Sequence, residues 1–100
     1  MRRELVVSVF VGLFLAVGST LAVAQMTFEI NIDRPGSDYT SFDLPEDNAR
    51  SCQRACVDDG NCRAWTYVRP GFQGPAPRCW LKQDVPPSNP SPCCVSGIVR

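Results

Sequence analysis

Six cysteines, all within residues 52–94, and not one histidine limit this chain more than any other feature. An even set of cysteines in a short chain reads as a disulfide framework wherever the compartment is oxidising. The rival reading, a zinc site, needs two matched ligand pairs or histidine partners. Cys52-x3-Cys56 is one such pair, but no second pair matches it and there is no His. No metal and no cofactor is expected.

The start of the chain supplies the compartment. Met1-Arg2-Arg3 is basic, residues 5–24 carry no charge, and the run closes on Leu21-Ala22-Val23-Ala24-Gln25. A basic start, an apolar middle and small residues at Ala22 and Ala24 form the pattern of a secretory signal peptide, with cleavage after Ala24. Retention as a membrane anchor is the alternative, since about 20 apolar residues span a bilayer. Gly12, Gly18, Ser19 and Thr20 dilute the apolar run and favour cleavage. Either way the positive start stays inside and the rest crosses. The expected organisation is a signal peptide at 1–24 and one domain at 25–100, located in the periplasm or secreted. Membrane contact is expected only through the signal segment during export.

The exported part has eight basic and nine acidic residues in 76. That balance offers no basic face, and nucleic acid is not an expected partner. A domain this small buries little apolar surface and depends on covalent staples.

Local patterns sketch the elements. In Thr27-Phe28-Glu29-Ile30-Asn31-Ile32, apolar residues alternate, which predicts a strand with Phe28, Ile30 and Ile32 on one face. Arg34-Pro35-Gly36-Ser37 suits a type II turn, with Gly supplying the positive φ. Phe42 and Leu44 then alternate in a second extended stretch. Pro45 breaks the chain, and Glu46-Asp47-Asn48 opens a helix expected to reach about Asp58 and stop at Gly60. Ala49, Cys52, Ala55 and Cys56 share one helical face. Residues 62–68 are β-branched and aromatic and predict a strand; alternation sets Arg63, Trp65 and Tyr67 opposite Cys62, Ala64 and Thr66. Residues 78–82 predict another strand. Residues 85–92 hold four prolines and are expected to be extended and largely unpaired. Residues 94–99 predict the last strand. One helix on an antiparallel sheet is an α+β fold.

Taken together these residues resemble a PAN/apple domain of the compact type found in exported bacterial proteins. The resemblance is carried by Asp33-Arg34-Pro35-Gly36-Ser37-Asp38-Tyr39, Phe42-Asp43-Leu44, Cys52-x3-Cys56, Cys62-Arg63-Ala64-Trp65-Thr66-Tyr67, Cys79-Trp80-Leu81-Lys82 and Cys94-Val95-Ser96-Gly97. It implies a helix packed on a curved antiparallel sheet and clamped by two disulfides, Cys52–Cys79 and Cys56–Cys62. Cys93 and Cys94 depart from the four-cysteine pattern. Three arrangements are open for them: a vicinal Cys93–Cys94 bridge, which is favoured; a bridge between chains; or a different core pairing that uses one of them.

Nothing in the sequence assembles a catalytic constellation. Ser and Thr occur without a base partner, and Asp58-Asp59 reads as a solvated helix end. Asp33 and Asp38 flank the Pro-Gly turn, where turn chemistry explains them better than calcium does. The resemblance implies a non-catalytic module that binds protein or carbohydrate. Arg63, Tyr67, Arg69, Trp80 and Lys82 are the candidate contact residues, because Arg and aromatic side chains suit sugars and protein hot spots. The loop at 71–77 is a second candidate surface, whereas Trp65 reads as core. A monomer is expected. The alternative function is a small structural envelope component that joins a partner, or a second copy in a disulfide-linked dimer, through Cys93 or Cys94.

Overall fold

The alternating patterns become five strands and one helix in the computed structural model, which describes residues 25–99. The signal segment expected at 1–24 lies outside the described residues. The elements run β1 (Glu29–Asp33), β2 (Asp38–Asp43), α1 (Ala49–Val57), β3 (Ala64–Val68), β4 (Arg78–Lys82) and β5 (Asn89–Ile98). The strands form a single antiparallel sheet in the order β1-β5-β3-β4-β2. One helix on such a sheet is the α+β fold, with the helix held by cysteine pairs.

This order forces the sheet to curl. β1 and β2 are its two edges, yet only residues 34–37 join them. Four spacings of about 4.8 Å would hold the edges of a flat sheet roughly 19 Å apart. The five peptide links of the connection reach at most about 18 Å. The link therefore crosses the sheet face turned away from α1. There the Gln83 N–H donates to the Ser37 carbonyl (3.0 Å), and Lys82 Nζ donates to the Gly36 carbonyl (3.2 Å). Gly36 and Ser37 both take positive φ, at 107° and 61°, to make the turn. Arg34 fixes its start, reaching back to Glu29 (2.8 Å) and across to the Pro86 carbonyl (2.7 Å).

The helix side holds the core. Asn48 caps α1, its side chain accepting from the Arg50 N–H (2.9 Å). Cys52 and Cys56 are fully buried on the inner face, packed with Trp65, Tyr67, Cys79, Leu81 and Val95. The sulfurs of Cys52 and Cys79 are bonded, as are those of Cys56 and Cys62, with Cα separations of 5.4 and 5.1 Å. Cys93 and Cys94 are bonded to each other. Phe28 covers Trp65 (ring centroids 5.7 Å apart) and is capped in turn by the Arg50 guanidinium at 3.7 Å.

Several local expectations are corrected. Phe28, Ile30 and Ile32 do not share a buried face: Asn31 takes φ 61°, the β1–β5 register shifts there, and Ile30 is left exposed. The last strand begins at Asn89 rather than Cys94, so part of the proline stretch is paired. Its first half borders β1 alone, with β3 joining at Cys94; a proline costs little on a flank with no neighbour to receive an N–H. The helix ends at Val57 with Asp58 as its cap, at the expected place, but Gly60 does not take the positive φ of a helix-stop glycine. Cys62 precedes β3 and turns to the helix side with Trp65 and Tyr67, because its bridge to Cys56 draws it there.

Candidate functional site

Strand alternation sends Thr66 and Val68 of β3, Trp80 and Lys82 of β4, and Cys94 and Ser96 of β5 to the face opposite the helix. This face is concave because the sheet curls and the 34–37 link rims it. It holds a pocket of about 280 Å³ with Thr66, Val68 and Cys94 in its lining. Trp80 and Lys82 line it from β4, Asp33 from the end of β1, Gly36 from the turn, Asp38 from the start of β2, Gln73 from the long loop, and Cys93 from β5. Thr66 Oγ1 and Ser96 Oγ lie 2.8 Å apart, and Ser96 donates onward to the Ile32 carbonyl (2.8 Å). The base of the site is thereby tied to the β1 edge.

The charged groups here are held in place. Lys82 is 2% exposed, and its ammonium meets Asp38 Oδ1 at 2.5 Å. A buried ammonium needs such a partner, since desolvating an unpaired charge costs several kcal/mol. The Trp80 indole N–H donates to Gln73 Oε1 (2.8 Å), which sets the ring at the pocket edge. The Arg78 guanidinium lies 5.8 Å from that ring and is itself bonded to Asp43 and Ser41. The Asp33 carboxylate lies with the Cys93 and Cys94 sulfurs in a cluster whose atoms are all within 4.8 Å of one another. Joined as a disulfide, these sulfurs offer apolar surface and not thiolate ligands.

The five expected contact residues do not meet in one place. Trp80 and Lys82 come together in the pocket. Arg63 is exposed and lines a separate cavity with Tyr39, Gly60 and Asn61. Arg69 reaches the Pro92 carbonyl (2.5 Å) and fastens the turn after β3 onto β5. Tyr67 is corrected outright: it is 2% exposed within the helix-side core, its hydroxyl bonded to Asp47. The loop at 71–77 contributes Gln73 to the pocket and leaves Phe72 exposed. Asp33 and Asp38 were not among the expected contacts, their only local hint being their place flanking the Pro-Gly turn, whereas Gln73 lies in the loop read as a second candidate surface.

A second polar junction sits beside Asp38 at the start of β2. The Tyr39 hydroxyl donates to Asp59 Oδ2 at 2.7 Å and links β2 to the end of the helix. Burial, then this bond, pushes the Tyr39 hydroxyl up from 10.0 to about 12. Asp59 is held below its ordinary value, first by that hydroxyl and then by the Asn61 N–H. Glu29 is also lowered, chiefly by its hydrogen bond from Arg34. The signs differ. The Tyr39 contribution to stability is whole below pH 10.0 and fades as pH rises toward about 12. The carboxylate contributions are present above the ordinary carboxylate range and fade as pH falls through the lowered native values. Tyr39→Phe is therefore expected to flatten the alkaline decline in denaturation midpoint and leave the acid limb nearly intact apart from the Asp59 part. Urea melts across pH on both proteins measure this, and an unchanged alkaline limb would contradict the assignment.

A helix clamped to a curled antiparallel sheet by two bridges, with an open concave face behind it, defines a small disulfide-stapled binding scaffold. Residues 32–82 match the PAN domain family, a stretch that runs from β1 through β4 and holds all four clamp cysteines. The chain belongs to the PAN domain family. PAN domains are in general non-catalytic modules that bind proteins or carbohydrates, and they are typically extracellular or exported. No curated protein and no solved structure matches the chain. Cys93 and Cys94 lie beyond the matched residues.

Proposed function

We propose that this chain is an exported, non-catalytic PAN module that binds a protein or carbohydrate ligand as a monomer through its concave sheet face. The observation that supports this reading most is the pocket itself, with Trp80 and Lys82 brought to it from β4. An aromatic face beside fixed polar groups is the usual make-up of a recognition site. The export reading rests on the pattern of residues 1–24 and on cysteines suited to an oxidising compartment. Association through Cys93 or Cys94 has less support, because their sulfurs are bonded to each other.

The test is retention of the purified oxidised protein on a glycan array, run beside cross-linking capture of proteins from the cell envelope. A saturable ligand of either class is expected. A protein that retains nothing in both assays, or that hydrolyses an ester, peptide or glycoside, overturns the reading. N-terminal sequencing of the exported protein should begin at Gln25.

A further inference from the structure

We infer that the concave pocket receives one neutral, hydroxyl-rich sugar ring, held between the Trp80 indole and the Cys93–Cys94 disulfide. The inference rests on the binding reading above and names the ligand class of that same site.

Size is the first argument. Small-molecule pockets span roughly 300–1,000 Å³, and at about 280 Å³ this one suits a single ring. Register is the second. Thr66 pairs with Trp80 on β4 and Val68 pairs with Cys94 on β5, so the indole and the disulfide stand on strands flanking β3. Those strands are two spacings apart and the two positions are offset by two residues along β3, so they stand diagonally about 12 Å apart. A saturated ring needs about 3.5–4 Å to each wall for van der Waals contact, which fits that width. A disulfide between adjacent residues closes an eight-membered ring. It presents sulfur and methylene surface with no hydrogen-bond donor, as a C–H face requires.

Charge is the third argument. Asp38 is neutralised by Lys82, which leaves the Asp33 carboxylate to repel an anion, so sulfated and carboxylated sugars are disfavoured. The Arg78 guanidinium already lies 5.8 Å from the Trp80 ring and disfavours a second cation at that aromatic face. A neutral polyol escapes both penalties. Carboxylates accept hydrogen bonds from hydroxyls, and the Lys82 ammonium has three N–H groups with two protein acceptors described for it.

The experiment compares retention on arrayed neutral, amino, sulfated and carboxylated glycans, followed by calorimetry with the methyl glycoside of the best neutral hit. Neutral glycans are expected to bind, with affinity unchanged by added salt. Trp80→Ala should weaken binding about tenfold or more through loss of the stacking wall. Asp33→Asn, which keeps the shape, should weaken it as well and carries the test if Trp80→Ala fails to fold. Arg63→Ala should bind like the parent. Salt-sensitive binding to charged glycans overturns the inference, as does full binding by both pocket variants, and the binding-module reading survives either result. Capture of a protein partner with no glycan retained also overturns the sugar pocket alone. No ligand of any class overturns both.

Discussion

Replacing Cys52 and Cys79 together by alanine is expected to leave the chain unfolded near 37 °C, the largest loss any single bridge should produce. The bridge closes a separation of 27 residues, against 6 for Cys56–Cys62. In the loop-entropy picture these constraints are worth about 3.6 and about 2.2 kcal/mol. A domain of this size has only about 5 kcal/mol in hand. The effect is also local. α1 has nine residues, too few to persist in water without packing, and Cys52 ties it to β4 beside Trp80. Losing the tie frees the helix and the strand that carries the pocket wall together. Circular dichroism melts of the double variant should show no cooperative transition above room temperature, whereas Cys56→Ala/Cys62→Ala should still melt cooperatively at a lower midpoint. A Cys52→Ala/Cys79→Ala protein melting within a few degrees of the parent would remove the clamp from the account of stability.

What could be read from the residues was local. Asn48 before the helix, the alternation through Trp65 and Tyr67, and the Pro-Gly turn each act over a few positions, and those elements stand where the pattern puts them. The clamp pairing came from family likeness; cysteine spacing alone left it open. The pocket was not legible, because it depends on which strands become neighbours. Asp38 and Lys82 meet across 44 residues because β2 pairs with β4 in a register that sets the two opposite each other. Alternation told that Trp65 and Tyr67 share a face, but not that the helix covers this face. Tyr67 therefore looked available when it is core. The prolines before Cys93 pointed to an unpaired segment and hid the longer β5, and with it the placement of the vicinal bridge beside Asp33.

Gly97→Ala is expected to destabilise the fold by about 3 kcal/mol, the second-largest single effect. Gly97 pairs directly with Trp65 across β3 and β5 and lies where the indole crosses onto the last strand. A methyl group there would fall within 2.7 Å of two indole carbons, Cζ2 and Cε2, and closer still to the Thr27 carbonyl. None of these can yield cheaply. Trp65 is wholly buried under Phe28 and the core. The Thr27 backbone is held from both sides, its N–H donating to the Ile98 carbonyl (3.0 Å) and its side chain accepting from the Ile98 N–H (2.8 Å). The added methyl must push the start of the described chain off β5 or tilt Trp65 into Phe28, and either movement uncovers apolar surface. Equilibrium urea unfolding should show a lower midpoint with an unchanged slope, which marks a loss of stability without a change in the surface exposed. Gly60→Ala is the control, since a methyl there meets nothing within 4 Å. Equal midpoints for the two variants would show that the Trp65–Gly97 contact is not a limit on the packing of this sheet.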